Sequence, residues 1–414
     1  MTESVSLNCT WSRMPLLVSN APQVNYLLLE AQPVAESSPP VPLNFCLVLD
    51  RSGSMKGSKL INMKDATRRV IEMLTPQDAV SLVVFDDTVQ VVFPAMLAAD
   101  KAALLAQVDT IEEMGGTAMS LGLQAGQTEL QRYLGPDRVS HMLVLTDGQT
   151  WGDEETCLAI AKSLGDMGVS ITALGLGAEW NETLLDDLAN STGGSSDYIA
   201  DPANIGKFFQ RTLQQAHGTI AQEARLLLRL VRDATPRSVH RAMPTIANLG
   251  YQPIGDNEVA VKLGDLAYGA VNSVLIDLML PARASGSFRI AQAELHFLPV
   301  GQTEQRVIKQ DILLEFTTDP KVAAYDPRIM NLVEKVTAFK LQTRALTEAE
   351  AGNVSGATQK LRAAATRLLD LGELELASKT QQQAENLEQG TELSAETQKE
   401  IRYATRRLTQ KLEE

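Results

Sequence analysis

Three oxygen-bearing side chains follow an apolar segment near residue 50. The segment N-F-C-L-V-L-D-R-S-G-S-M covers residues 44–55 and places Asp50, Ser52 and Ser54 at its polar end. Carboxylate and hydroxyl oxygens are ligands of hard cations such as Mg²⁺, so these residue types indicate a cation site. The spacing D-x-S-x-S fixes only three positions, and it therefore needs support from the rest of the chain.

Two further oxygen-bearing residues supply that support. Thr117 follows two glycines in M-G-G-T-A-M, and Asp147 ends the apolar run of S-H-M-L-V-L-T-D-G. Together these residues predict a metal site of five side chains, namely Asp50, Ser52, Ser54, Thr117 and Asp147. The alternative is purely structural, because the two carboxylates could cap helices while the hydroxyl groups satisfy loop backbone.

The elements that must position these side chains can be predicted from the apolar pattern. Both apolar runs are typical of strands that are buried on both faces of a parallel sheet. Residues 59–74 carry apolar side chains at helical spacing, so Asp50 is expected at a strand-to-helix turn. Strands and helices alternate as far as residue 218, which predicts a doubly wound, Rossmann-like α/β fold. Ligands of such sheets bind outside the carboxyl ends of the strands. The later helices are predicted at 100–111, 118–134, 154–167, 181–191 and 202–218.

Residues 42 to about 218 resemble a von Willebrand factor type A domain. In that family D-x-S-x-S, a later Thr and an Asp-Gly pair form the metal-ion-dependent adhesion site, and all five positions are present in this sequence. The resemblance implies that Ser52, Ser54 and Thr117 contact Mg²⁺ directly, with Mn²⁺ or Ca²⁺ as substitutes. It also implies that the two carboxylates act mostly through water or hydroxyl groups.

The same resemblance implies a binding function, because one coordination place stays open for an Asp or Glu of a protein partner. Residues near the predicted edge are expected to contact that partner. This rim consists of Gln149, Trp151, Asp86 and Asp87. An alternative for Trp151 is that its ring packs against a neighbouring helix. Lys56 and Lys59 are interpreted as solvated residues at a helix start.

The rest of the chain divides into three regions around this domain. Residues 1–41 hold two strand-like pieces and a linker at 35–42, and residues 221–320 contain several alternating strands. A lone hairpin is marginal in water, so the two early strands are predicted to join the later ones in an antiparallel β-sandwich. The α/β domain, residues 42–220, is then an insertion into that sandwich. Residues 321–414 are predicted to be helical.

Glycines divide the helical region into four predicted helices, with breaks near Gly352, Gly372 and Gly390. Two arrangements are open for these helices. They form a bundle, or they form a hairpin that binds a partner or a second copy.

Composition excludes several classes of function. The net charge of −14 argues against nucleic acid as the main partner. The three cysteines are widely spaced, the amino terminus lacks a signal pattern, and no apolar run is long enough for a membrane span. A cytoplasmic protein is therefore expected. No G-x-x-x-x-G-K-[ST] loop occurs, so no nucleotide is expected.

The family resemblance, together with these observations, implies a bacterial, non-enzymatic adaptor that captures an acidic side chain through Mg²⁺. The resemblance also implies that the adaptor works with an AAA+ ATPase of the MoxR type, or in a stress or defence assembly. Two alternatives remain open. A metal-dependent hydrolase would need a base such as Asp86, Asp87 or Asp153, and a secreted or surface adhesin would use the same five metal-site residues.

Overall fold

A computed structural model of the protein describes residues 5–34, 41–322, 324–390 and 394–412. Apart from its last two residues, the predicted linker at 35–42 lies outside the described residues. The first three strands are β1 (Val5–Trp11), β2 (Leu16–Leu17) and β3 (Gln23–Pro33).

The α/β domain follows these strands and is built on one six-stranded sheet. Its elements are β4 (Leu43–Asp50), α1 (Ser58–Met73), β5 (Ala79–Phe85), β6 (Val89–Leu97), α2 (Lys101–Val108), α3 (Met119–Leu130), β7 (Val139–Thr146), α4 (Glu154–Asp166), β8 (Ser170–Leu176), α5 (Glu182–Thr192), β9 (Ser195–Ile199) and α6 (Ile205–His217). The strand order is β6-β5-β4-β7-β8-β9, and every neighbouring pair is parallel except β5 with β6. This confirms the predicted doubly wound sheet.

Burial explains why the central strands form where the sequence predicts them. Every residue of β4, β5, β7 and β8 is buried, as expected for apolar runs covered by helices on both faces. Helix α3 lies especially close to the sheet, because a Cβ atom added at Gly126 would come within 2.7 Å of the Val48 side chain. The segment that carries Thr117 into α3 is therefore held firmly against the strand that ends at Asp50.

The β-sandwich is formed by strands from both sides of the α/β domain. Its later strands are β10 (Thr219–Leu230), β11 (Thr235–Met243), β12 (Ala247–Asn248), β13 (Gln252–Gly255), β14 (Glu258–Ala267), β15 (Asn272–Leu280), β16 (Gly286–Pro299) and β17 (Arg306–Thr317). One sheet has the order β1-β3-β15-β11-β12, and the other has the order β13-β14-β10-β16-β17-β2. Strand β3 pairs with β15 along its length, from Gln23 opposite Leu280 to Ala31 opposite Asn272. The predicted insertion is thus confirmed.

Two longer strands were not predicted, and both contain many polar residues. Strand β9 has the sequence S-S-D-Y-I, and β11 has the sequence T-P-R-S-V-H-R-A-M. Polar groups of both strands are bound by residues distant in sequence: Asp197 of β9 by Arg407, and Ser238 of β11 by Lys340. A local apolar pattern cannot reveal such strands.

The four predicted helices at the carboxyl end of the chain are confirmed. They are α7 (Pro327–Glu350), α8 (Val354–Asp370), α9 (Leu374–Glu388) and α10 (Ala395–Arg406). Gly352, Gly372 and Gly390 follow the first three helices with φ between 71° and 79°, a conformation that glycine adopts without strain. Among the residues that the structure describes, no helix combines the length and apolar character needed to cross a membrane.

The final part of the chain, residues 395–412, connects the helical region to the α/β domain. We call it the C-terminal segment. Lys399 Nζ donates to the carbonyl oxygens of Ala178 and Trp180, at 2.6 and 2.7 Å. The Tyr403 ring is buried against the rings of Trp180 and Tyr198, with centroids 5.9 and 5.8 Å apart. The helices therefore do more than pack against one another, since this segment fixes one side of the α/β domain.

An ion pair between a buried arginine and a partly buried aspartate stabilises the same contact. Arg406 is 4% exposed, and its Nη1 lies 2.9 Å from Asp186 Oδ1 on α5. Burial alone would raise the pKa of Asp186, but Arg406 and Arg402 lower it below its usual value. The Arg406 carbonyl also accepts from Ile246 N at 2.9 Å, so one residue joins the α/β domain to the sandwich.

Replacing Arg406 by Ala is expected to lower the free energy of unfolding by ~3 kcal/mol, because it removes a buried guanidinium and leaves Arg402 as the remaining arginine beside Asp186. The measurement is urea unfolding followed by circular dichroism. Arg362→Ala is the matched control, since the Arg362 pair with Glu388 is exposed and its loss should change stability by no more than ~1 kcal/mol. Equal, small effects of both substitutions would contradict the assigned role of the C-terminal segment.

Candidate functional site

Asp50 is the most buried carboxylate of the candidate site. It ends β4 with no exposed surface, and its Oδ1 accepts a hydrogen bond from Ser52 N at 2.8 Å. Its Oδ2 accepts from Thr146 Oγ1 at 2.6 Å. Burial raises the pKa of Asp50 to about 6, although the hydrogen bonds from Ser52 and Thr146 oppose that shift. Asp50 thus links the loop after β4 to the end of β7.

The hydroxyl groups converge on Asp147. Ser52 Oγ lies 3.0 Å from Ser54 Oγ, and Ser54 Oγ donates to Asp147 Oδ1 at 2.6 Å. Ser52 Oγ lies 3.5 Å from the same carboxylate oxygen. Thr117 Oγ1 lies close to Gly148, the residue that follows Asp147: a Cβ atom added at Gly148 would be 3.3 Å from this oxygen. The structure therefore brings all five predicted residues together at the carboxyl ends of β4 and β7.

The donor set suits a hard cation. Adjacent ligands of an octahedral Mg²⁺, each about 2.0–2.1 Å from the ion, lie about 2.9 Å apart. The oxygen pairs that involve Ser52, Ser54 and Asp147 span 2.6 to 3.5 Å, around that value. Among the described residues, no group of three or more His, Cys, Asp or Glu side chains is placed to hold a metal. A cation held here would depend on the hydroxyl groups.

The site opens to solvent on one side only. Asp50, Ser52 and Asp147 are at most 2% exposed, whereas Ser54 is exposed and Thr117 is half-buried. Ser54 and Thr117 therefore lie on the accessible side of the site, and the carboxylates form the floor.

Backbone hydrogen bonds hold the loop with the two glycines against the loop after β4. Gly53 N donates to Gly115 O at 3.1 Å, and Met114 N donates to Arg51 O at 2.8 Å. Asp87 Oδ2 accepts from Gly116 N at 2.8 Å. A Cβ atom at Gly116 would lie 2.4 Å from Asp87 Oδ1, so a larger residue there would displace the Asp87 carboxylate.

The predicted rim is only partly exposed. Trp151 is 81% exposed, so its ring does not pack against a helix, and Gln149 is also exposed. Asp87 is exposed but serves the glycine loop through its bond to Gly116 N. Asp86 corrects the prediction, because it is 2% exposed and its Oδ2 lies 2.6 Å from Arg51 Nε. Asp86 therefore supports the loop after β4 from inside and is not part of the rim.

Lys59 also differs from the prediction. Lys56 is exposed, as predicted for a solvated residue, but Lys59 forms an ion pair with the buried carboxylate of Asp147. Lys59 is the second residue of α1, and the start of that helix faces the site. The sequence pattern placed Lys59 at a helix start but could not show which loop its side chain reaches.

Thr150 and Asp153 were not among the five predicted metal-site residues, although Asp153 was a candidate base for the alternative hydrolase. Thr150 Oγ1 donates to Thr117 O at 3.2 Å and also binds Asp153, whose Oδ2 accepts from Ser120 N at 2.8 Å. These bonds tie the loop after β7 to the start of α3. Both residues lie within six positions of Asp147, and this closeness in sequence was the signal that could have indicated their structural role.

Two family models match the sequence in separate regions. A model of the von Willebrand factor type A domain matches residues 44–211. Residues 44–211 form a von Willebrand factor type A domain. A second model, described as the Sll0103-like, C-terminal alpha-helical domain, matches residues 327–411. A von Willebrand factor type A domain implies protein interaction or adhesion in general.

Similar proteins extend this comparison over most of the chain. Uncharacterized protein sll0103 of Synechocystis sp. is 29% identical over 371 residues, which are 88% of this chain and 88% of that protein. Uncharacterized protein YfbK of Escherichia coli is 21% identical over 187 residues, or 44% of this chain and 32% of that protein.

Solved structures share the architecture. A von Willebrand factor type A protein from Catenulispora acidiphila matches with a TM-score of 0.75 and 19% identity, over 92% of this chain and 90% of that one. The ArnB paralog VWA2 from Sulfolobus acidocaldarius matches with a TM-score of 0.57 and 16% identity, over 98% and 99% of the two chains. At these identities the likeness concerns the fold alone.

Replacing Lys59 by Met is expected to strengthen Mg²⁺ binding about tenfold, equivalent to ~1.4 kcal/mol, because the ammonium group would no longer compete with the ion for Asp147. Titration calorimetry with MgCl₂ measures this directly. Lys56→Met is the control, since the exposed Lys56 does not contact Asp147 and should leave the affinity unchanged. Unchanged or weaker binding in Lys59→Met would show that Lys59 does not compete.

Proposed function

We propose that this protein is a Mg²⁺-dependent adaptor that captures an acidic side chain of a protein partner. Asp50, Ser52, Ser54, Thr117 and Asp147 would hold the ion. The observation that carries the proposal is the convergence of Ser52, Ser54 and Asp147 oxygens at distances of 2.6 to 3.5 Å beside a buried Asp50. When bound, Mg²⁺ would supply a positive charge with an open coordination place, and Mn²⁺ or Ca²⁺ would be substitutes.

The exposed side of the site supports capture of a carboxylate. Ser54 and Thr117 present neutral hydroxyl groups to solvent, while the carboxylates of Asp50 and Asp147 lie beneath them. An incoming Asp or Glu would therefore meet the ion before it meets either site carboxylate. Trp151 and Gln149 are exposed in the loop that follows Asp147, and their side chains would contact the partner surface around the acidic residue.

The loop carboxylates favour binding over hydrolysis. A hydrolase would need a general base near the ion, and Asp86, Asp87 and Asp153 were the candidates. Asp86 pairs with Arg51, Asp87 accepts from Gly116 N, and Asp153 accepts from Ser120 N. Each carboxylate is thus already engaged in holding a loop.

The setting that we propose is a bacterial cytoplasm, with an AAA+ ATPase of the MoxR type or a stress or defence assembly as the partner system. Support for this setting comes from the resemblance between the domain and prokaryotic members of its family. The arrangement of the sandwich supports the adaptor role, because the α/β domain is attached through β3 and β10, away from the metal-site edge.

Removing the metal or Asp50 is expected to abolish partner capture. Full-length protein is used in a pull-down from native lysate with Mg²⁺, with EDTA, and with Mg²⁺ restored after EDTA. Partners should bind in the first and third conditions and be lost with EDTA and with Asp50→Ala. Ser58→Ala is the control, since that exposed residue is outside the five-residue set. Partners that bind equally with EDTA and with Asp50→Ala would contradict the proposal.

Replacing Trp151 by Ala is expected to weaken capture of the same partners at least about thirtyfold, equivalent to ~2 kcal/mol, while Mg²⁺ affinity stays unchanged. The readouts are partner affinity by surface plasmon resonance and Mg²⁺ affinity by calorimetry. Leu374→Ala is the control, because Leu374 is 66% exposed but belongs to α9. Equal partner affinity in wild type and Trp151→Ala would remove Trp151 from the binding surface.

A further inference from the structure

A cavity of about 140 Å³, lined by both apolar and charged side chains, lies between the α/β domain and the sandwich. His141 and Thr172 line it near the amino-terminal ends of β7 and β8, at the edge of the sheet opposite the candidate metal site. Arg241 and Asp265 of the sandwich line the other wall. The cavity is therefore separate from the candidate metal site.

Arg241 is a buried charge without a counter-charge. Its side chain is 8% exposed, and it forms no ion pair with a described residue. Nε and Nη1 each donate to a backbone carbonyl at 3.3 Å, those of Thr245 and Gly194, and Nη2 has no hydrogen-bond partner among the described residues. A buried guanidinium is stable only when paired or well hydrogen-bonded, so this group is suited to an anion in the cavity.

The nearest acidic groups are already engaged. Asp186, the carboxylate whose charge acts on Arg241, is bound by Arg402 and Arg406. Asp197 lines the cavity but is bound by Arg407. These carboxylates leave the positive charge of Arg241 uncompensated.

Other charges on the wall do not cancel that of Arg241. Arg211 also lines the cavity and has no ion pair within the part of the chain that the structure describes. Asp265 accepts from Ser170 Oγ at 2.7 Å, and burial raises its pKa to about 6. Burial lowers the pKa of His141 to about 4, so the ring is neutral near pH 7. Two guanidinium groups therefore face one unpaired carboxyl group.

We propose that this interdomain cavity binds a small organic carboxylate, with the carboxylate group paired to Arg241. A cavity of about 150 Å³ accommodates benzene, so a ligand of about six non-hydrogen atoms fits. Thr172 Oγ1 lies 2.9 Å from His141 Nε2, and Thr212 Oγ1 donates to Phe208 O at 3.0 Å. Both residues line the cavity, and each hydroxyl oxygen keeps a lone pair that is suited to accept a hydrogen bond from such a ligand. Because the walls belong to two domains, the bound ligand stabilises the joint between them.

Full-length protein is titrated with acetate, pyruvate and L-lactate by calorimetry, and thermal unfolding is followed with each. At least one of these probes should bind and raise the unfolding temperature above that in sodium chloride of equal ionic strength. Propane-1,2-diol, a neutral compound of similar size, should not. Binding of none of the three carboxylates, or equal stabilisation by the diol or by inorganic phosphate, would overturn the proposal.

Single substitutions test whether the carboxylate binds in this interdomain cavity. Arg241→Gln should weaken binding of the best probe at least tenfold, and Arg289→Gln, at a 59% exposed side chain of the sandwich, should not change it. Thr172→Val provides a second test that keeps all charges, and it should weaken binding severalfold. If Arg241→Gln does not fold, the Thr172→Val result decides. Wild-type affinity in Thr172→Val, or in folded Arg241→Gln, would contradict binding in this cavity.

Discussion

The buried carboxylate of Asp50 is the constraint on which the candidate site depends. A charged group without exposed surface must be compensated by hydrogen bonds or by an opposite charge. Asp50 receives two hydrogen bonds, from Ser52 N and Thr146 Oγ1, and these bonds determine the course of the loop after β4 and its distance from β7. The serine hydroxyl groups reach Asp147 because that loop is held in place. A bound cation would compensate the remaining charge.

The edge of the sheet that carries the candidate site is exposed because of the position of the α/β domain within the chain. Both chain connections of the domain lead to the sandwich, and the C-terminal segment binds a further side of the domain through Arg406 and Tyr403. The edge with the candidate metal site is left open, while the opposite edge faces the sandwich across the cavity at Arg241. Rigid attachment at one edge and access at the other suit a protein that presents a binding site.

Much of this arrangement could be predicted from sequence, because the informative signals were local. Buried parallel strands appear as apolar runs, and the oxygen-bearing residues stand directly after two of them, at Asp50 and Asp147. What could not be predicted depends on contacts between distant residues. The polar strand β9 is stabilised by the ion pair between its Asp197 and the distant Arg407. Asp86 is buried in an ion pair with Arg51, and Lys59 reaches the Asp147 carboxylate in another loop.

The central claim is that the five converging oxygen-bearing side chains hold a divalent cation, and calorimetric titration of EDTA-treated, dialysed protein with MgCl₂ tests it most directly. Thr117→Val and Ser54→Ala remove one hydroxyl group each and leave all charges in place. The account predicts saturable Mg²⁺ binding to a single site in the wild type and at least tenfold weaker binding in both variants. Absence of binding in the wild type, or wild-type affinity in both variants, would contradict it.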